Sequence, residues 1–397
     1  MTSVVDRWNI HPGHLWLRGT RPEQAVKFDE DMGLWGVYGY QEAFAMLNDP
    51  EVFSSRTAHL APISFDESLS EGDMSQMDPP GHTKYRKLLS HAFTPKVVAD
   101  LEPRIAEITQ ELLREVDGRD RFDLVADLAY PLPATVIAEL LGVPRSDLPL
   151  FKKWAFNIIE ELNGMAYLTG GEEAQANVDA ASDGIKPMLD YLLEHVLERR
   201  RRPREDLLSH LAAAEVDGER LTDNEIVNIA NIVLVTGHIT TTMLLGNTML
   251  CLDAYPDQAA RVRGDRSLVP TAIEEGLRLL TPSAAMSRST TTDVEVAGVR
   301  IPKDKMILIW LGAANRDPRQ FTDPAVYDPA RDPNPHLGFG RGVHFCIGAP
   351  LARMEGRIAL NSLFDRYREL AVDAEQAPTF FPSPDMIGAS ALPLRVH

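Results

Sequence analysis

From Thr222 to Tyr255 the sequence carries apolar residues at helical spacing, opened by the capping box Thr222-Asp223-Asn224-Glu225 and closed by Pro256. At ~1.5 Å per residue such a helix spans roughly 50 Å, enough to cross the whole molecule. From about residue 80 to about residue 280 the pattern is almost all helical, so the rod is expected among other helices. Its middle, Thr236-Gly237-His238-Ile239-Thr240-Thr241-Thr242, sets one glycine and four hydroxyls where helix propensity is low. That cluster predicts a local opening of the backbone ladder at a functional position; a simple kink is the alternative.

Strand patterns are short and lie at the two ends: Leu34 to Tyr38 early, and a hairpin around Ala297-Gly298 followed by a buried strand from Met306 to Trp310. No repeat or low-complexity linker interrupts the chain, which reads as one continuous domain over 1–397. Its formal net charge of −18 argues against nucleic acid or an anionic membrane as a partner. The basic run from Arg199 to Arg204 is flanked by Glu198, Glu205 and Asp206 and reads as a solvated helix end. No stretch reaches ~18 uninterrupted apolar residues, and Met1 to Thr20 has no apolar core of a signal peptide, so a soluble, cytoplasmic protein is expected. The only two cysteines, Cys251 and Cys346, cannot build an iron–sulfur cluster or a four-cysteine zinc site and suit a reducing compartment. Cys251 lies in an apolar helix and reads as core.

Cys346 has different surroundings. It sits in Phe339-Gly340-Arg341-Gly342-Val343-His344-Phe345-Cys346-Ile347-Gly348, directly before an amphipathic helix with Pro350 in its first turn. Two glycines let the backbone turn tightly, and the helix N-terminus favours negative charge on the sulfur. A bare Gly348 lets the helix lie close to a flat ligand. A buried structural cysteine, or a Cys–His nucleophile pair using His344, are the rival readings.

This run resembles the cysteine-ligand loop of the cytochrome P450 family. The resemblance implies a mainly α fold with a small β-rich side, haem b enclosed between two long helices, and Cys346 as iron ligand. It places Phe339 and Gly348 against the cofactor. His82 and Arg86 in Asp78-Pro79-Pro80-Gly81-His82-Thr83-Lys84-Tyr85-Arg86, together with Arg288 and His344, match the family's propionate contacts. Glu275 and Arg278, at i and i+3, resemble its buried ion pair, with Arg331 as third partner. The segment around Thr240 resembles its oxygen-activation site, with Thr240 and Thr241 as candidate catalytic hydroxyls. Ile239 stands where the family has an acid, so protons need another route. His238 is expected to be structural or tied to a water chain. Ile232, Val235, Thr236, Ala284, Ala285 and Ile387 match pocket positions; being small or apolar, they suit a lipophilic substrate.

The resemblance further implies a monooxygenase, a likeness that leans toward enzymes tailoring polyketides, macrolides or related secondary metabolites. It would take O2 as co-substrate and draw on NAD(P)H only through a separate ferredoxin or flavodoxin and its reductase, working as a monomer. Arg341, Arg353 and Arg357 suggest a basic docking patch for that acidic partner. The alternatives are an atypical oxidation at the same haem (ring closure, coupling, peroxide-driven turnover), a haem carrier or sensor without turnover, and a non-haem Cys–His hydrolase.

Overall fold

The helices that position the site begin with α1 (Gly81–Ser90), α2 (Pro95–Glu115) and α3 (Pro131–Leu141), in a computed structural model that describes the chain apart from residues 1–4, 6, 7, 9, 65, 67, 68, 70, 162–167, 169 and 217. The stretch from Met1 to Thr20 is therefore described only in part. Next come α4 (Glu172–Arg201), α5 (Leu207–Ala213), α6 (Asp223–Ala254), α7 (Val269–Leu279) and α8 (Ala349–Arg366). Prolines in the first turns of α2, α3, α7 and α8 sit where no backbone donor is needed.

The rod is α6, 32 residues in one helix. Its capping box is complete: the Glu225 N–H donates to Thr222 Oγ1 at 3.1 Å, and the Thr222 N–H donates to the Glu225 carboxylate at 2.6 Å. Such a cap stabilises a helix by about 1 kcal/mol. Helices α3, α4, α7 and α8 all pack against it. The expected opening near Thr240 does not occur, and α6 is continuous. Thr236, Thr240, Thr241 and Thr242 each return their hydroxyl to the carbonyl four residues back, at 2.7, 2.8, 3.1 and 2.8 Å. Local bonding absorbs the polar groups without breaking the ladder. Among the described residues α6 is the one helix long and apolar enough to cross a membrane, yet 67% of that window is buried inside the molecule.

The basic run is also less solvated than its composition suggests. Arg199 is buried, donating to Asp206 at 2.6 Å and to the Gly142 carbonyl at 2.5 Å. Arg200 donates to Asp223 at 2.5 Å and to the Leu221 carbonyl at 2.6 Å, tying the end of α4 to the start of α6. Only Arg201, Arg202 and Arg204 lie exposed.

The β side is built on a five-stranded sheet. Its members are β1 (Val26–Asp29), β2 (Leu34–Val37), β3 (Phe53–Ser54), β4 (Met286–Thr290) and, after the hairpin β5 (Val294–Val296) and β6 (Val299–Ile301), β7 (Met306–Ile309). The sheet order is β1-β2-β7-β4-β3, with β2 and β7 parallel and the other neighbours antiparallel. The hairpin turns on Ala297 and Gly298, both at positive φ (50° and 77°), as two-residue hairpin loops require. An apolar cluster that includes Val26, Val37, Ile307, Ile309 and Phe321 packs this side, while the main core surrounds α6.

Candidate active site

A cavity of about 350 Å³ lies between α6 and the loop before α8. Thr236, Gly237, Thr240 and Thr241 line it from α6; Phe339, His344, Cys346 and Gly348 line it from the loop. The loop is held closed by the Cys346 N–H donating to Phe339 O at 2.9 Å and the Gly340 N–H donating to Leu337 O at 2.8 Å. Gly340 and Gly342 both take φ 67°, and a Cβ at 342 would come 2.2 Å from the Leu47 carbonyl oxygen. Glycine is therefore required at 342 for space as well as for conformation.

Cys346 is open to this cavity although protein encloses the loop. Burial pushes its thiol up; the N–H groups of Gly348 and Ala349 and the guanidiniums of Arg86 and Arg353 pull the other way. A metal cation facing the sulfur would deprotonate it outright.

Donors suited to carboxylates gather on the same side. Arg86 of α1 and Arg288 of β4 line the cavity with His344. Arg86 Nη2 donates to Phe345 O at 2.5 Å, anchoring α1 on the cysteine loop. Burial lowers Arg288 to about 10, and its Nη1 donates to Ser287 O at 2.7 Å. His344 shares a 2.8 Å hydrogen bond between its Nε2 and Ser55 Oγ; burial, then the nearby His82, lowers it to about 4. The His82 ring packs directly behind it, ring centroids 4.1 Å apart, with both ring nitrogens buried and without a partner among the described residues. Buried cations and orphaned N–H groups are costly unless anions meet them. A flat ligand bearing two carboxylates and a metal that binds thiolate fits this donor set, and haem is such a ligand.

Behind the loop, Arg278 donates to Glu275 through Nε at 2.7 Å and Nη2 at 2.8 Å, both side chains fully buried. Its remaining donors reach the carbonyls of Asn315, Pro324 and Val326. Arg331 Nε and Asn334 Nδ2 also donate to Glu275, at 3.0 and 3.1 Å. The carboxylate thus pins the 324–334 segment that leads into the cysteine loop.

The cytochrome P450 family model matches residues 32–396. The chain belongs to the cytochrome P450 family. Among characterised proteins it is 40% identical to cyclomarin C epoxidase CymV of Salinispora arenicola over 96% of this chain and 94% of that one. It is also 40% identical to erythromycin C-12 hydroxylase of Saccharopolyspora erythraea, over 91% and 88%. The solved structure of HmtT, involved in himastatin biosynthesis, superposes with a TM-score of 0.89 at 66% identity, covering 99% of both chains. The fold is that of a P450, the protein is a P450 monooxygenase, and its cofactor is haem b with O2 as co-substrate. Electrons reach it from NAD(P)H through redox partners.

In this P450 Ile232 and Thr236 line the cavity, but Val235, Ala284, Ala285 and Ile387 do not. Val235 packs beside Ile239, Met243 and Phe381 on another face of α6. The Ala284 N–H donates to Asp385 O and its carbonyl accepts from Gly312, which turns the side chain into the core. Ala285 packs against the main core, and Ile387, in the same strand-like bridge to Pro282, is buried there too. Pro282, Ser283 and Met286 take the wall positions instead.

Leu89 and Phe93 also line the cavity. They were legible as a continuation of the helical stripe His82, Arg86, Leu89, Phe93. Met286 stands two residues before Arg288 on β4, the same face of the strand. Met74 and Ser75 come from a single 3-10 turn, Met74–Gln76, too short to leave a periodic signal. His238 lies off the cavity wall: its Nδ1 donates to Leu234 O, its ring meets Tyr130 edge-on at 5.3 Å, its Nε2 is buried without a partner among the described residues, and burial lowers it to about 4.

The expected docking patch is largely neutralised. Arg353 donates to Glu274 at 2.7 and 2.8 Å, and Arg357 to Glu102 at 2.8 Å. Of the three arginines only Arg341 has no carboxylate partner among the described residues; its guanidinium lies 4.9 Å over the Phe44 ring.

Proposed function

We propose that this P450 inserts one oxygen atom of O2 into a C–H bond of a bulky lipophilic secondary metabolite of polyketide or macrolide type. The observation that carries the reading is one cavity shared by the Cys346 sulfur and the Thr240 hydroxyl, with Leu89, Phe93, Ile232, Val233 and Met286 on its walls. Haem held by Cys346 would supply the oxygen chemistry. The chain's own part is to hold that cofactor through Arg86, Arg288 and His344, to exclude water with apolar walls, and to present hydroxyls. Thr236 and Thr240 line the cavity and donate to backbone carbonyls, which leaves their oxygens able to accept from a substrate hydroxyl or a water.

The relatives support a secondary-metabolite substrate, and one of them supports the macrolide class. One is named as a hydroxylase of erythromycin, one as an epoxidase of cyclomarin C, and HmtN, 55% identical with a TM-score of 0.88, as a post-tailoring hydroxylase of himastatin biosynthesis. A separate ferredoxin and its reductase would deliver the electrons, to a monomer in the cytoplasm. The two free cysteines are consistent with that compartment.

A carbon-monoxide difference spectrum of the reduced protein tests the ligand, followed by product analysis with a surrogate ferredoxin system and a panel of macrolides and polyketides. Cys346→His should abolish the red-shifted thiolate band, and Cys251→Ala should leave it intact. A thiolate band surviving Cys346→His would refute the assignment. An atypical oxidation is the second reading, favoured by one observation: Ile239 is packed among apolar side chains. Ring-closed or coupled products, or turnover with peroxide alone, would select it.

A further inference from the structure

The segment Glu71 to Met77 brings Met74 and Ser75 into the cavity wall and then enters α1 through the Asp78-Pro79-Pro80 turn. At its other end a single residue ties it to the start of α6. The Glu71 carboxylate accepts from Thr222 Oγ1 at 3.1 Å and from Asn224 Nδ2 at 2.6 Å, and its backbone carbonyl accepts from Asn228 Nδ2 at 2.7 Å. Gly72, at φ 77°, lies so close to α6 that a Cβ would meet Glu225 Cα at 3.0 Å. The same first turn holds α1, because Tyr85 donates to Glu225, and holds α4 through Arg200 and Asp223. The wall segment, the cofactor-binding helix and α4 thus share one anchor point.

The nature of the anchor matters. Glu71 itself is exposed, so water can replace either side-chain bond at little cost, whereas Asn228 beneath it is buried. Hydrogen bonds of this kind hold a segment in place yet release it readily. The rest of the segment bonds mostly to itself or to the neighbouring loop: Asp73 accepts from the N–H and hydroxyl of Ser75, and Gln76 accepts from the N–H groups of Thr57 and Ala58.

We propose that Glu71 is a positioning residue for substrate admission: it latches the Glu71–Met77 wall segment onto the first turn of α6 and sets how often the cavity opens. The inference rests on the cavity being the substrate site. If the latch closes the wall equally with and without ligand, its loss speeds entry and exit by the same factor and leaves affinity alone.

The test uses the haem-loaded full chain with 4-phenylimidazole as probe, followed by stopped-flow absorbance. Glu71→Ala should raise association and dissociation rates together by about threefold, the modest effect of losing exposed hydrogen bonds. Affinity should stay within about twofold and thermal stability should be nearly unchanged, as for an exposed side chain. Amide exchange over Gly72 to Met77 should speed up in parallel. Glu71→Gln, which keeps an acceptor for Asn224, should restore most of the wild-type rates. Unchanged rates in Glu71→Ala, a lost affinity at constant association rate, or no rescue by Glu71→Gln would each overturn the latch. Failure of the wild-type protein to bind the azole would instead count against the cavity as a haem site.

Discussion

The rings of His82 and His344 lie 4.1 Å apart, and neither nitrogen of His82 has a hydrogen-bond partner among the described residues. A buried, unbonded imidazole is costly to a fold that gains nothing else from it. The site accounts for it if an anionic group of the cofactor engages the pair. His82→Ala should therefore speed haem loss about tenfold, the loss of a charge-assisted bond, while the Cys346 thiolate band persists. Transfer of haem to an apoprotein acceptor measures this directly.

Glu275 is the other fixed point of the site. Glu275→Ala strands Arg278 fully buried, and Arg278→Ala strands Glu275, at about 3–5 kcal/mol each. Both variants should yield protein largely unfolded or without haem. Arg331, partly exposed, should cost clearly less on replacement by Ala. Denaturant melts of the three variants rank them; a Glu275→Ala protein as stable as Arg331→Ala would contradict the order.

Glu355, in the middle of α8, is buried, with one carboxylate oxygen lacking a hydrogen-bond partner among the described residues. Burial raises it to about 8. The folded state then keeps a proton that the unfolded chain releases near pH 4.5, so stability falls as pH rises from there to about 8 and levels off above. Glu355→Gln removes the titration. Its melting temperature should gain on wild type steadily between pH 5 and pH 8 and run parallel above pH 9.

How much of this was written in the sequence differs from residue to residue. The capping box of α6, the Ala297-Gly298 hairpin and the cysteine loop were legible because each depends on local chemistry: a cap, a positive φ, a tight turn. Glu275 and Arg278 were legible as helical neighbours. The pocket was read less well because position along a chain does not say which way a backbone bond turns a side chain. Ala284 shows this: its hydrogen bonds to Asp385 and Gly312 decide its orientation, and both partners are distant in sequence. Arg353 misled for a similar reason, since Glu274 lies 79 residues away, whereas Asp206 was visible beside Arg199 but not the burial of the pair.

Thr240 is the α6 hydroxyl expected to matter for turnover. It lines the cavity, and its Oγ1 donates to Thr236 O while remaining able to accept. Thr240→Ala should lower product formed per reduced nicotinamide severalfold and raise peroxide release to match. A fully coupled Thr240→Ala enzyme would transfer the proton-handling role to Thr241 or to the substrate.

Ile239 is sealed among Val235, Met243, Phe381 and Met386, a patch where α6 meets the segment near the C-terminus. An acid introduced there alone would arrive in a greasy socket with nothing to pair with. Phe381 or Met386 would first have to give way to a polar residue, and that change by itself would loosen the packing of Ile239. Neither order of steps is neutral. The middle of α6 and the segment near the C-terminus are thus packed as one unit, and a carboxylate at 239 would call for a change in a partner more than 140 residues away in sequence.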